Sequence, residues 1–172
     1  FGNTVHCTGL TLCRGLGVRA DAMEGDAEVS AVSGAAFAIS RSLFETLGGF
    51  DERFGMYMED TDLSLRARLA GYRCFCVARA VVYHDYLLRF GPLKTFYQER
   101  NRYLLLLKNL HWTTLAALLP ALLLGEMVTW GFVLLHEPHR AASKLRAYAW
   151  IAKHWNEAMA ARRQVQALRR VP

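Results

Sequence analysis

Apolar and polar positions follow two different patterns along this chain, and the change falls near His84. Before it, the apolar runs are short and punctuated. Residues 1–28 carry Gly2, Gly9, Gly15, Gly17 and Gly25, and read as strands and loops without a phosphate-cradling glycine motif. Glu28–Ile39 is rich in β-branched and small residues, which predicts a buried strand interrupted at Ser33-Gly34. Ser42-Leu-Phe-Glu45 has the spacing of a capping box, so a short helix is expected from about Leu43, stopped by Gly48-Gly49. Phe50–Met58 reads as a loop with Phe50, Phe54 and Tyr57 turned inward. Leu63, Arg66/Ala67 and Ala70 share one helical face, which predicts a helix over Thr61–Ala70 with Gly71 as its stop. Tyr72–Val77 and Ala80–His84 read as strands.

After His84 the period lengthens. Leu93–Leu110 places Phe96, Tyr103, Leu107 and Leu110 at helical spacing. Leu115–Leu135 is a run of 21 residues with one charge, Glu126, and one proline, Pro120. That length reaches across a hydrocarbon core of about 30 Å, although Pro120, Gly125 and Glu126 count against a simple span. Ala141–Arg170 is amphipathic, with Leu145, Tyr148, Ala152, Trp155 and Met159 on one stripe and most cations elsewhere.

Composition narrows the class. With 172 residues, 53% apolar and 21% charged, the chain excludes disorder, a collagen-like fibre and a small disulfide scaffold. The net charge of +6 is split: residues 1–86 carry −3 and residues 87–172 carry +9. The basic half suits an anionic partner such as a membrane surface or nucleic acid. Nucleic acid fits less well, because the cations flank a long apolar segment and form no aromatic-interleaved polar stripe. Cys7, Cys13, Cys74 and Cys76 lack zinc spacing and read as small reduced hydrophobes of a cytoplasmic protein. The first methionine is Met23, so the chain is expected to be the later portion of something longer.

The densest polar cluster is Glu59-Asp60-Thr61-Asp62, three carboxylates set between an apolar run and a helix. Asp60 stands where an N-cap belongs, facing the positive end of the helix dipole. Asp62 and Arg66 are four apart and can pair along it. On spacing alone, the cluster is accounted for by Asp60 as a cap and Asp62 as half of an ion pair. Glycine at Ser33-Gly34 allows a ligand or backbone to come close. His84, at the expected end of a strand, has the chemistry of a divalent-metal ligand as well as that of an ordinary polar residue.

In order along the chain, Ser33-Gly34-Ala-Ala-Phe, Gly48-Gly49-Phe50-Asp51-Glu52, Glu59-Asp60-Thr-Asp62-Leu-Ser-Leu-Arg66-Ala-Arg68-Leu-Ala-Gly71-Tyr72 and Ala80-Val-Val-Tyr-His84 resemble the acceptor-side half of family-2 inverting glycosyltransferases of the GT-A fold. The resemblance is to the rhamnosyltransferase-like and galactofuranosyltransferase-like branch and covers about residues 30–110. It implies an α/β fold with residues 1–90 as the acceptor-side part of the catalytic domain. Residues 91–172 would be a helical, membrane-associated region containing the apolar segment 115–135. Asp60 would be the general base that takes the proton of an acceptor hydroxyl as it attacks a nucleotide sugar. Glu59, Ser33 and Gly34 would line the acceptor site, with Asp62 and Arg66 as supports and Asp51 and Glu52 shaping the turn after the glycine pair. His84 would join a site for a divalent metal (Mg or Mn) that neutralises the leaving diphosphate. The other ligands would come from an Asp-x-Asp in a donor-binding half that this sequence lacks. Gly55 and Ala78 depart from the family pattern, where an aromatic residue and a proline are common.

The later run from Phe96-Tyr97-Gln98-Glu99-Arg100-Asn101-Arg102-Tyr103 to Lys108-Asn109 resembles the same branch. Arg100, Arg102 and Lys108 are expected to meet anionic head groups, and Trp112 and Trp130 suit an interface. The expected partners are therefore a nucleotide-sugar donor, a glycan or glycolipid acceptor and the cytoplasmic face of the cytoplasmic membrane, with no nucleic acid. The competing reading is a catalytically incomplete, membrane-associated module that binds acceptor or lipid only.

Overall fold

The computed structural model describes residues 2–22, 25–85 and 92–171. The boundary expected between residues 90 and 91 lies outside the described residues. The chain is mixed α/β and helix-rich, and it divides into two compact units. The first comprises residues 1–6, 10–87 and 168–172; the second comprises residues 7–9 and 88–167.

The first unit is built from short elements. β1 (Asn3–Val5) pairs antiparallel with β2 (Thr11–Cys13), and β3 (Ala27–Val29) pairs antiparallel with β4 (Cys74–Cys76). An isolated bridge joins Asn3 to Ala31 through two backbone hydrogen bonds of 2.8 and 3.1 Å. The strand expected over Glu28–Ile39 is thus only Ala27–Val29 plus this bridge. The chain turns at Ser33, whose carbonyl accepts from Ala36 N at 3.3 Å. No strand forms over Ala80–His84, where Val81, Val82 and Tyr83 are exposed. A β-branched run needs a ladder to join, and the strand before it, β4, pairs with β3.

Helix α1 (Arg41–Thr46) begins two residues earlier than the capping-box spacing implies. Ser40, not Ser42, is the cap, accepting from Leu43 N at 3.3 Å, while Glu45 pairs with Arg41 at 2.8 Å. Asp51 caps a 3-10 turn at Glu52–Phe54 and pairs with Arg53 at 2.7 Å. Helix α2 (Glu59–Leu69) ends at Gly71, whose φ of +89° lets its N–H and that of Tyr72 close on the Arg68 and Ala67 carbonyls. The buried face of α2 carries Leu63, Arg66, Ala67 and, just past its end, Ala70. These pack with Leu47 beneath Phe37, Ile39, Leu43 and Phe44. Phe54 is fully buried, whereas Phe50, expected inside, is 42% exposed and sits edge-on against Phe37 and Phe44.

The second unit is helical: α3 (Pro92–Asn109), α4 (Trp112–His136), α5 (Ala141–Lys153) and α6 (Trp155–Leu168). Helix α4 runs through Pro120 without a break and is long and apolar enough to cross a membrane. The amphipathic stretch after residue 141 is two helices, divided at His154. Its buried face is not the expected stripe, since Leu145 and Trp155 are exposed. Small residues and two cations go inside instead: Ser143, Lys144, Ala147, Ala158, Ala161 and Arg162. Small side chains let helices approach closely, and each cation meets a concentration of negative charge. Arg162 donates to the Leu107 and Leu110 carbonyls at the end of α3, and Gln166 donates to those of Lys108 and Asn109.

Lys144 joins a buried set of groups from three helices. Its Nζ lies 3.1 Å from both Glu99 and Glu126 and 2.9 Å from the Thr129 hydroxyl. Arg102 donates to Glu99 at 2.9 Å and also to Glu126. The Tyr148 hydroxyl donates to Glu126 at 2.6 Å, and Tyr103 donates to the same carboxylate. Burial and the Glu126 carboxylate push both tyrosine hydroxyls above their ordinary pKa range. The expectation that Arg100, Arg102 and Lys108 reach head groups is corrected here, because all three are buried. The Arg100 guanidinium stacks over Phe96, Tyr97 and Trp150 at 4.6–5.3 Å.

Candidate acceptor site at the start of helix α2

The acidic cluster occupies the first turn of α2, and the backbone that delivers it is unusual. Tyr57 and Met58 both have positive φ, +68° and +67°, although neither is glycine. Left-handed backbone at a non-glycine residue costs about 1–3 kcal/mol and persists only where its surroundings enforce it. Here it swings the chain from the buried Phe54 directly into the helix. Met58 is therefore the residue that precedes the helix, and it offers no side-chain cap. Asp60, expected as the N-cap, lies inside the first turn.

Freed from capping, the Asp60 carboxylate turns toward the loop at Ser33-Gly34. Its Oδ2 accepts from Gly34 N at 2.6 Å, and its Oδ1 accepts from Thr61 N at 2.6 Å and from the Thr61 hydroxyl at 3.2 Å. A Cβ on residue 34 would stand 3.1 Å from that same Oδ2, so glycine is what permits the approach. One turn further along α2, the Ser64 hydroxyl donates to Asp60 O at 2.7 Å and accepts from Val32 N at 3.1 Å. The loop and the helix start are thus stitched twice, over a separation of 26 residues at Gly34–Asp60. Ser33 itself turns inward on the loop, its hydroxyl accepting from Ala35 N at 3.4 Å.

Glu59 differs from its neighbour. One of its carboxylate oxygens, Oε2, is buried and has no hydrogen-bond partner. Burial raises its pKa; its own backbone N–H opposes the rise and the Asp60 charge adds to it. A buried acceptor without a donor is costly in a finished fold and is the natural position for a ligand hydroxyl. Asp62 and Arg66 pair at 2.8 Å, with Asp62 fully buried. Arg66 also donates to Leu47 O at 2.6 Å and Gly49 O at 2.8 Å, which fastens α2 to the end of α1.

The site therefore brings Asp60, Glu59 and the Ser33-Gly34 loop together, with Asp62 and Arg66 behind them. His84 is not drawn into it by any strand; it is exposed, in irregular backbone. Among the described residues, no group of three or more His, Cys, Asp or Glu side chains could hold a metal ion. The described residues do not by themselves fit a metal centre. Residues that the linear reading passed over are Tyr57 and Met58, for their backbone, and Thr61 and Ser64, for their hydroxyls. The two hydroxyls stand on the helix flanking the carboxylates, a visible signal; the left-handed backbone leaves no mark in two ordinary side chains.

The Asp60 carboxylate held against the glycine loop and the unpartnered Glu59 oxygen beside it leave acceptor positions open to a donor group. The chain belongs to glycosyl transferase family group 2, whose family model matches residues 17–162. Over 53 residues it is 47% identical to the N-acetylglucosaminyl-diphospho-decaprenol L-rhamnosyltransferases of two Mycobacterium tuberculosis strains, CDC 1551 / Oshkosh and ATCC 25618 / H37Rv. That stretch is 31% of this chain and 17% of each of those proteins. It is 42% identical over 53 residues to the O-antigen biosynthesis protein RfbC of Myxococcus xanthus, covering 31% of this chain and 4% of that protein. The matched region is thus a small part of these curated relatives. No solved structure matches the chain.

Proposed function

We propose that this chain is the acceptor-side half of an inverting glycosyltransferase of the GT-A fold, in which Asp60 is the general base. The transferred sugar would come from a nucleotide-sugar donor and go to a hydroxyl of a glycan or glycolipid at the cytoplasmic face of the membrane. The observation that carries the reading is the Asp60 carboxylate, held at 2.6 Å by Gly34 N–H next to the unpartnered Glu59 oxygen. The relatives support a lipid-linked acceptor, since two of them are named for a diphospho-decaprenol substrate.

A sugar hydroxyl is too weak an acid to attack unaided. A fixed carboxylate that takes its proton as the new C–O bond forms is worth about 10²–10⁴ in rate. Each carboxylate oxygen has two lone pairs, and Oδ2 spends one on Gly34, which leaves the other for the acceptor O–H. Attack opposite the departing nucleoside diphosphate inverts the anomeric centre. The Glu59 oxygen would accept from a second acceptor hydroxyl and so fix which hydroxyl faces Asp60. Where a divalent ion takes part, His84 would supply one ligand, and the ion would neutralise the charge of the leaving diphosphate.

The test is Asp60→Asn in the full-length enzyme, which keeps the oxygen that Gly34 needs but removes the base. Transfer is expected to fall by about 10²–10⁴ with the fold unchanged. Near-normal turnover refutes the assignment. A product with the donor's anomeric configuration retained overturns the inverting mechanism.

A further inference from the structure

Helix α4 carries its polarity inside out. Its inward stripe runs from Leu115 through Leu118, Leu122, Glu126 and Thr129 to Val133, and it contains the only acidic or basic side chain of the helix apart from His136, namely Glu126. The outward face is apolar: Leu119, Leu123, Leu124, Met127, Val128 and Leu135 are 52–80% exposed. A surface helix in water shows the opposite order. An uncharged face along 25 residues, about 37 Å of helix, is far larger than the apolar patches that soluble surfaces leave bare.

We propose that this face of α4 lies in the interface of an anionic phospholipid bilayer with the helix axis parallel to the membrane plane, and that α4 does not cross it. Three observations fix the orientation and the occupant. Glu126, at mid-helix, is tied to Arg102, Lys144 and, through them, Glu99. A crossing helix would carry four ionised groups on three helices to the depth where charge is most costly. The other helices of the unit present polar side chains outward, among them Arg146, Lys153, Glu157 and Arg163, so the unit has one lipid-compatible side and not a lipid-compatible perimeter. Of the charged side chains that stay exposed on α5 and α6, Arg146, Lys153 and Arg163 outnumber Glu157, a balance that suits an anionic leaflet better than a neutral protein surface. None of this depends on the role of Asp60.

The experiment uses the whole chain and vesicles of phosphatidylethanolamine and phosphatidylglycerol. Co-sedimentation is expected for the parent protein, and Leu123→Gln/Leu124→Gln/Met127→Gln should bind on the order of a hundredfold more weakly. The three side chains are exposed, and an unchanged circular dichroism spectrum establishes that the variant is folded. Nitroxides are then placed singly at Ala116→Cys, Leu123→Cys and Leu134→Cys, with the four native cysteines replaced. All three positions face one way and should report the same shallow depth, about 5–10 Å. A depth maximum at residue 123 with shallow ends means a spanning helix and overturns the proposal. So does an absence of vesicle binding, or protection of the three positions by self-association without lipid. Asp60→Asn should bind vesicles like the parent, so failure of the catalytic reading and failure of this one are separable.

Discussion

Replacing Arg66 with methionine should unfold the support of the acidic cluster before it touches the cluster itself. Arg66 is 4% exposed and Asp62 fully buried, so Arg66→Met strands a carboxylate in the interior without its cation. It also removes the donors to Leu47 O and Gly49 O. Removing one partner of a buried pair costs about 3–5 kcal/mol, and an orphaned carbonyl adds about 1 kcal/mol or more. A loss near 4 kcal/mol is a large share of the 5–15 kcal/mol that holds an ordinary domain. All four tryptophans lie in the second unit, so their fluorescence is blind to this event. Amide hydrogen exchange over α2 reads it directly: 4 kcal/mol is about three decades of protection. Asp62→Leu/Arg66→Met removes the stranded charge and should recover about 2 kcal/mol of the loss. A single-variant cost below about 1 kcal/mol, or no coupling between the two changes, would show that this pair does not support the cluster.

The remaining predictions concern the carboxylates. In Gly34→Ala the new methyl stands 3.1 Å from Asp60 Oδ2, and a carboxylate held by three hydrogen bonds yields only by moving. We expect kcat of the full-length enzyme to drop about 10–100-fold with stability within about 1 kcal/mol, and an unchanged kcat contradicts the geometry. Glu59→Gln relieves a buried charge whose pKa burial has raised, so stability should hold or rise slightly while the acceptor KM rises. A stability loss above about 1 kcal/mol would mean that Glu59 has a structural partner. Burial alone would raise the Glu126 carboxyl, but the Tyr103 and Tyr148 hydroxyls and Arg102 hold it down to about 2. A depressed carboxylate stabilises the fold above its unfolded pKa near 4.5 and loses that contribution as pH falls toward 2, up to about 3 kcal/mol. Glu126→Gln should flatten this acid limb in thermal melts between pH 5 and 2; an equally steep limb assigns the acid sensitivity elsewhere.

Much of the chemistry was legible in the sequence because it is local. Glu59, Asp60 and Asp62 crowd into one helical turn, and Asp62–Arg66 pairing follows from a four-residue separation that any helix satisfies. The inner face of α2 and its stop at Gly71 follow from period and from one residue's freedom at positive φ. The family resemblance rested on the order of such local pieces, and the family match over residues 17–162 agrees with it.

What the tertiary structure decided is everything that depends on two segments meeting. Only the fold determined that Asp60 would leave the cap position and turn to Gly34 N, because the choice rests on the left-handed turn at Tyr57-Met58 and on a loop 26 residues away. Only the fold showed that Val81, Val82 and Tyr83 form no strand, since a β-branched run becomes one only when a neighbour offers its ladder. The cations of the helical unit make the same point. Arg100, Arg102, Lys108, Lys144 and Arg162 looked like a surface charge in the composition and are buried in the structure. Arg100, Arg102, Lys144 and Arg162 go to carboxylates, carbonyls and aromatic rings, many of them on other helices. A one-dimensional reading counts charge; only packing decides which charges remain to face a membrane.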